Sequence, residues 1–291
     1  MVTTEALSHG AITIVNAMAS GRGAALGVRL WTKARVILTD DPGQIQARIQ
    51  ESPSENVSLI STTVKVILDR FGGKKHGAIV ETESSIPIAV GLKSSSAASN
   101  AVAAATLAAL GRQTDDITLI RHAVKSSLKA GVTLTGAFDD ACACYFGGLV
   151  VTDNRTCSIL RRSKRVASGN RILLHVPKSK KYSGDIRKES FRRITRLVDL
   201  AHQEALRNNY PLALTLNGIA YSSVLGYDLS PVTDALEAGA VTAGLSGKGP
   251  AIAAIVPNRK VDNVISVWNS YPGRIIETTM NLKKATVQVL N

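Results

Sequence analysis

The chain has 291 residues, 45% of them hydrophobic and 20% charged, with a formal net charge of +13 at pH 7. That length buries a proper core and allows two domains, the composition excludes a disordered polymer, and no apolar run reaches transmembrane length. The positive balance suits anionic ligands, whereas aromatics make up only 4% of the chain and do not interleave with its small basic clusters, Arg161–Arg165 and Lys178–Lys181, which disfavours nucleic acid.

In chain order, Gly21-Arg-Gly23-Ala-Ala-Leu-Gly27 is not a dinucleotide fingerprint, because a strand follows it rather than a helix. Val28 to Leu38 alternates, with Val28, Leu30, Ala34, Val36 and Leu38 on one face and Arg29, Lys33 and Arg35 on the other, as in a half-buried strand. Ser54 is the expected cap of a helix carrying Val57, Ile60, Val64, Ile67, Leu68 and Phe71 at helical spacing, stopped by Gly72-Gly73. Ala78 to Glu83 reads as a strand leading into a glycine and serine loop, and Ala97 to Leu110 as a helix closed by Gly111. A further helix starts at Thr114 and buries Ile117, Ile120, Val124 and Leu128 before Gly131.

After Gly147-Gly148 come short strands at Leu149–Thr152 and Ser158–Leu160, joined at Asp153-Asn154. The polar, basic stretch 161–169 is the expected domain boundary, dividing the chain into 1–165 and 166–291. Beyond it the pattern predicts a strand (Arg171–Val176), helices at Asp185–Asn208 and Pro211–Leu225, a short helix near Pro231 and a strand pair around Gly244. A helix (Val261–Trp268) and strands at Arg274–Met280 and Ala285–Leu290 complete it. Strands with intervening helices of this kind predict a two-layer α+β sandwich.

The loop Pro87-Ile88-Ala89-Val90-Gly91-Leu92-Lys93-Ser94-Ser95-Ser96-Ala97 carries the parts a polyphosphate needs. Gly91 permits a tight turn, and Ser94 to Ser96 supply hydroxyls for a phosphate or a metal ion at a helix start whose N–H groups and positive dipole end attract an anion. Lys93 adds positive charge. A serine N-cap on an alanine-packed helix accounts for one serine but not for three after Gly-Leu-Lys. The P-loop pattern G-x-x-x-x-G-K-[ST] is absent, so this is a phosphate loop of another kind.

Two other segments read as site residues. In Gly136-Ala-Phe-Asp139-Asp140, adjacent carboxylates lie in an apolar, glycine-bounded stretch where burial is costly without partners; the alternative is an exposed pair capping a helix. In Gly244-Leu-Ser246-Gly247-Lys248-Gly249-Pro250, bare backbone can approach a phosphate or substrate; the alternative is a hairpin turn. Cys142, Cys144 and Cys157, without zinc spacing or a secretory leader, read as inert thiols in a reducing, cytoplasmic setting.

Together these segments resemble the GHMP kinases (galactokinase, homoserine kinase, mevalonate kinase, phosphomevalonate kinase). Pro87-x3-Gly91-Leu92-x-Ser94-Ser95 is similar to their central phosphate loop. Asp140, seven residues before Gly147-Gly148, is similar to the aspartate beside the substrate hydroxyl, and Gly244 to Pro250 to the third, glycine-rich motif. Ser8-His-Gly10 to Asn16-Ala resembles the first motif in position. Gly91 to Asn100, Gly136 to Ala141 and Asn16 with Gly21 to Ala25 look most like the archaeal-type shikimate kinase branch.

The resemblance implies an N-terminal ribosomal-protein-like β-α-β half holding ATP and a C-terminal ferredoxin-like α/β sandwich, with the site between them. It implies phosphorylation of the shikimate 3-hydroxyl in aromatic amino acid biosynthesis, with ATP and Mg²⁺, no nucleic acid or membrane partner, and a monomer or homodimer. In that frame residues 87–97 hold the nucleotide and Ser95 contacts Mg²⁺. Asp140 orients and deprotonates the acceptor, with Asp139 as the alternative, and Lys93 neutralises charge. Asn16, Asp140, Ser246, Gly247, Lys248 and Gly249 border the substrate. Arg22, Lys178, Lys180, Lys181, Arg187 and Lys248 are candidate cations for the substrate carboxylate. Two departures stand out: Ala11 follows Gly10 where the family's first motif usually carries a lysine or arginine, and no carboxylate lies between Asp116 and Asp139 where several relatives place a magnesium ligand. Homoserine kinase is the alternative within the family, and a nucleic-acid-binding protein the alternative outside it.

Overall fold

The computed structural model describes residues 2–133, 135–165, 169–178 and 188–290. Lys180, Lys181 and Arg187 lie outside the described residues, as do 166–168 of the expected boundary and 185–187 of the helix expected from Asp185. From the N-terminus the elements are β1 (Thr3–Val15), β2 (Arg22–Thr39), β3 (Ile45–Ile49), α1 (Ser58–Phe71), β4 (Gly77–Ser84), α2 (Ser94–Ala109), α3 (Asp116–Lys129), α4 (Phe138–Phe146), β5 (Leu149–Asp153) and β6 (Ser158–Ser163). They continue as β7 (Asn170–Val176), a 3-10 segment (Lys188–Ile194), α5 (Thr195–Leu206), α6 (Tyr210–Leu225), α7 (Ser230–Glu237), β8 (Thr242–Leu245), β9 (Ile252–Pro257), α8 (Val261–Trp268), β10 (Arg274–Thr278) and β11 (Thr286–Leu290).

The alternating pattern of β2 makes it the axis of the first sheet. Val28, Leu30, Ala34 and Val36 are buried while Arg29 and Arg35 on the opposite face are exposed. β2 pairs with β1 along most of its length, with β4 through Thr32–Thr39 and with β5 through Arg22–Leu26. The order β11-β1-β2-β4-β3 is extended by β5 and β6 from the first half of β2. β3 and β4 are parallel, so their connection must cross over, and α1 makes the crossing. The alanine run of α2 is buried against this sheet, its small side chains letting helix and strands approach closely.

The second sheet, β10-β7-β9-β8, is antiparallel throughout. Its contact with α6 is tight enough to require two glycines. A Cβ on Gly218 would stand 2.5 Å from the Gly244 Cα, and one on Gly244 would stand 2.6 Å from the Leu214 carbonyl oxygen. Behind this sheet α7 and α8 close a smaller core of their own around Val232, Ala235, Val264 and Trp268. Among the described residues no helix is long and apolar enough to cross a membrane.

Several local expectations change. Ser54 caps nothing: α1 begins at Ser58, whose N–H donates to Asn56 Oδ1 at 2.7 Å. α3 is capped by Asp115, which accepts from the Thr118 N–H, rather than beginning at Thr114, and Leu128 faces solvent instead of the core. No serine caps α2; Lys93 occupies that position in a left-handed conformation. β1 and β3 were not anticipated as elements, and α4 only in the alternative of a helix at the aspartate pair, which lies in its first turn and is not exposed.

Trp268 is fully buried and its indole N–H donates to the Pro231 carbonyl at 2.7 Å. Trp268→Ala is expected to lower stability by about 3–5 kcal/mol through the cavity it leaves. Trp268→Phe, which strands that carbonyl, should lower it by about 1–3 kcal/mol. Urea unfolding checks both, and an unchanged midpoint in the alanine variant would contradict this account of the second core.

Candidate active site

A cleft of about 500 Å³ is bordered by the loop ahead of α2, the first turn of α4 and the loop between β8 and β9. Ile88, Ala89, Gly91 and Lys93 to Ser96 line it, whereas the side chains of Val90, Leu92 and Ala97 are buried in the core and Pro87 stands off the cleft wall. Ala89, Gly91 and Lys93 take positive φ of 59, 89 and 68° in alternation with the anchored Val90 and Leu92. Alternating handedness turns successive N–H groups to one side, which is how short loops build an anion-binding concavity. The first turn of α2 carries no acidic side chain and Lys93 makes no side-chain cap, so the positive end of the helix dipole is left for a ligand.

Lys93 turns across the cleft instead. Its ammonium lies 3.3 Å from Asp140 Oδ2, with the two side chains only 8% and 14% exposed. Asp140 Oδ1 is buried without a hydrogen-bond partner. Ala11 in β1 is fully buried and offers no cation here, so Lys93 is the positive charge beside the aspartate.

The neighbouring Asp139 is placed differently. Asn154 closes a two-way clamp on it: its amide donates to Asp139 Oδ1 at 2.7 Å, and its Oδ1 accepts from the Asp139 N–H at 3.2 Å. Asp139 Oδ2 packs against β2, where a Cβ on Gly23 would stand 2.2 Å away, so only glycine admits the carboxyl. Burial first, and then the charge of Asp140, hold the Asp139 carboxyl well above the usual carboxylate range. Both aspartates line the cleft: Asp139 is held by Asn154, and Asp140 by Lys93, with its Oδ1 left without a hydrogen-bond partner.

The β8–β9 loop is stitched to both β1 and the phosphate loop. The Ser246 hydroxyl donates to the Gly91 carbonyl at 2.8 Å and accepts from the Thr13 N–H at 3.1 Å. The Thr13 hydroxyl accepts from the Gly247 N–H at 2.8 Å, and the Asn16 amide donates to the Gly247 carbonyl at 2.9 Å. Ser246 is therefore fully buried in a tie and does not border the cleft, unlike Asn16, Gly247, Lys248 and Gly249. Of the described candidate cations, Lys248 lines the cleft, while Arg22 forms a loose 3.9 Å pair with Asp199 and Lys178 is exposed; neither of these lies on the cleft wall.

Comparison with known proteins places this arrangement. Residues 58–148 match the family model described as GHMP kinases N terminal domain. The chain is 41% identical over 282 residues to a shikimate kinase of Methanosarcina acetivorans, covering 96% of this chain and 95% of that protein. It is 40% identical over 275 residues to a shikimate kinase of Pyrococcus abyssi, covering 94% and 97%. The crystal structure of homoserine kinase from Cytophaga hutchinsonii superimposes with a TM-score of 0.76 at 17% identity, covering 98% of this chain and 97% of that one, a likeness of fold. The chain belongs to the GHMP kinases, an ATP-dependent family with this α+β fold.

Sequence reasoning missed Thr13 and treated Asn154 only as part of a turn. It also missed the far wall of the cleft, which includes Ile49, Glu51, Asn56 and Ser58. The signal for Asn154 was its position beside Asp153 opposite the start of β2; for the far wall there was none, since β3 was not anticipated.

Two outcomes are expected. A Cβ on Gly91 would stand 2.1 Å from the Ser246 carbonyl at a φ of +89°, so Gly91→Ala should lose more than the roughly 1–2 kcal/mol of left-handed strain alone, measured by thermal unfolding. For Asp139, a raised native pKa means the folded state binds more protons than the unfolded one between the ordinary carboxylate value and the raised value. Wild-type stability therefore falls as pH rises through that window, by up to about 1.4 kcal/mol per pH unit. Asp139→Asn should abolish that contribution, so its stability relative to wild type should rise with pH; parallel curves would contradict a proton-retaining Asp139.

Proposed function

We propose that this chain is a shikimate kinase that transfers the γ-phosphoryl group of ATP to the 3-hydroxyl of shikimate. The substrate assignment is supported by the near-full-length identity to relatives bearing that name. The chemistry is supported by one observation above the rest: the aspartate with an unpartnered oxygen, charge-paired to a lysine of the phosphate loop.

Phosphoryl transfer asks mainly for positioning and charge neutralisation. The amides of residues 91–96, with the hydroxyls of Ser94 to Ser96, hold the β- and γ-phosphates at the start of α2. The acceptor 3-hydroxyl donates to the Asp140 carboxylate and its oxygen attacks the γ-phosphorus. The bond from that phosphorus to the β–γ bridging oxygen breaks, ADP carries away that electron pair, and the acceptor proton passes to Asp140. Lys93 supplies the opposite charge to Asp140 at contact distance and places it beside the loop that carries the phosphates.

The donor set fits magnesium in a particular way. Among the described residues no group of three or more His, Cys, Asp or Glu side chains gathers to hold a metal, so an all-protein cage is absent. Mg²⁺ takes one or two protein oxygens plus substrate phosphates readily, and Ser95 on the cleft wall is such an oxygen. When bound, it neutralises charge on the nucleotide's phosphates. We further assign residues 1–165 to the nucleotide-binding half and 166–291 to the second half, and read the unbridged thiols Cys142, Cys144 and Cys157 as those of a reducing, cytoplasmic setting.

Purified protein assayed with ATP against shikimate, homoserine and mevalonate should release ADP rapidly with shikimate alone; preference for homoserine would replace the substrate assignment within the same family. Asp140→Asn should lower kcat by about 10²–10⁴-fold, the usual worth of a positioned base, with ATP binding near that of wild type. Full activity in that variant would remove Asp140 from the mechanism.

A further inference from the structure

Lys248 stands on the cleft wall with Lys93 and Asp140, on backbone held from several sides. The Tyr227 hydroxyl donates to the Lys248 carbonyl at 3.0 Å, Gly247 before it is held by Thr13 and Asn16, and the Gly249 N–H after it donates to the Ser246 carbonyl at 3.0 Å. This backbone runs against the other lysine: a Cβ on Gly247 would stand 2.9 Å from Lys93 Nζ and 3.3 Å from the Gly91 Cα. Two lysines thus line one half-buried cleft together with Asp140, which Lys93 meets at 3.3 Å. Cations set close together on one wall of a half-buried cleft favour an anionic ligand there.

Resting on the kinase reading above, we propose that Lys248 is a second catalytic cation, binding the γ-phosphoryl group in transfer together with Lys93, and not the ligand of the acceptor's carboxylate. As the bond from the γ-phosphorus to ADP breaks and the bond to the acceptor oxygen forms, charge spreads over the three equatorial phosphoryl oxygens, and Lys248 meets it while staying protonated. The chemistry of the site has room for such a group. No carboxylate lies between Asp116 and Asp139, and the first motif carries no cation at Ala11, so more of the neutralisation falls to lysines. Burial, and then the like charge of Lys93, lower the Lys248 ammonium to about 8, with Asp140 acting in the opposite sense. The charged and titratable groups around it are Lys93 from the phosphate loop, Asp139 and Asp140 from α4 and Tyr227 after α6, with Glu51 and Glu55 on the cleft wall.

The test compares wild type, Lys248→Met and Lys248→Arg in steady-state kinetics and in calorimetric binding of ADP and a non-hydrolysable ATP analogue. Lys248→Met should lower kcat by about 10²-fold, with KM for shikimate within about twofold of wild type. It should also erase about tenfold or more of the analogue's affinity advantage over ADP, the usual order for one charged hydrogen bond to phosphate. In wild type, kcat/KM for ATP should fall as pH rises past about 8, because the cation is lost; that limb should vanish in Lys248→Met and move upward in Lys248→Arg, which should recover much of kcat. A raised KM for shikimate at unchanged kcat would overturn the proposal and assign Lys248 to the acceptor carboxylate. An unchanged analogue-to-ADP ratio would also overturn it. If wild type fails to phosphorylate shikimate, the substrate reading falls, while the analogue comparison still decides the role of Lys248.

Discussion

Ser246 joins three parts of the chain that are distant in sequence. Its hydroxyl donates to Gly91 in the phosphate loop and accepts from Thr13 at the end of β1, while Thr13 in turn holds Gly247. A fully buried hydroxyl that both donates and accepts cannot be moved without stranding two backbone groups. The distances that matter to the chemistry follow from this tie. With the loop fixed against β8 and β1, Lys93 reaches Asp140 from a set origin, and the gap between the loop amides and Asp140 is fixed by packed backbone. The same closeness explains why glycine stands at 91, and why Gly218 and Gly244 meet behind the loop: each removes a Cβ where two backbones must touch.

The aspartate pair shows how environment divides labour between identical side chains. Asp139 and Asp140 are adjacent in the first turn of α4, where the helix N-terminus favours negative charge for both. Two charges so close in a buried site are not jointly tolerated, and the surroundings decide which one persists. Asp140 has an ammonium at 3.3 Å and an unpartnered oxygen, whereas Asp139 has a neutral amide, a wall of β2 backbone and almost no exposure. Asp139 therefore serves as a fixed brace whose carboxyl is pushed above the usual carboxylate range by burial and by the Asp140 charge. Asn100 completes the support by donating to the Ala141 carbonyl at 2.8 Å, which ties α2, the carrier of the phosphate loop, to the turn that carries both aspartates.

Much of this was legible in the sequence where one physical signal dominated. Alternation marked β2, helical spacing marked α1 and α3, and glycine with three serines ahead of an alanine run marked the loop. β1 was not legible because both of its faces are largely buried, which removes the alternation a strand is recognised by. α4 was hidden by its length of nine residues and its small apolar side chains. Ser54 and Thr114 were plausible caps whose neighbours Asn56 and Asp115 make the bonds instead; propensity cannot choose between adjacent capping residues. In the site, residue types were visible but their partners were not. Ser246 has the composition of a ligand and the position of a tie, a distinction that depends on contacts across more than 150 residues.

The departure at Ala11 from the family pattern finds an answer in the loop. A cation expected on β1 would have to stand where Ala11 is fully buried in the core, which leaves no room for an ammonium. Placing the charge at residue 93 instead puts it on the left-handed residue that also starts α2. One residue then shapes the loop, leaves the helix end without a side-chain cap and pairs with Asp140. Such coupling makes the catalytic geometry depend on the backbone at one position: Lys93 must tolerate a φ of 68° that a β-branched residue would resist, and must carry a side chain long enough to cross to α4. Arginine would keep the charge, but its rigid planar fork would have to fit beside Gly247, where Lys93 already leaves no space for a Cβ. Lysine at 93 and glycine at 247 therefore constrain each other, although they are 154 positions apart in sequence.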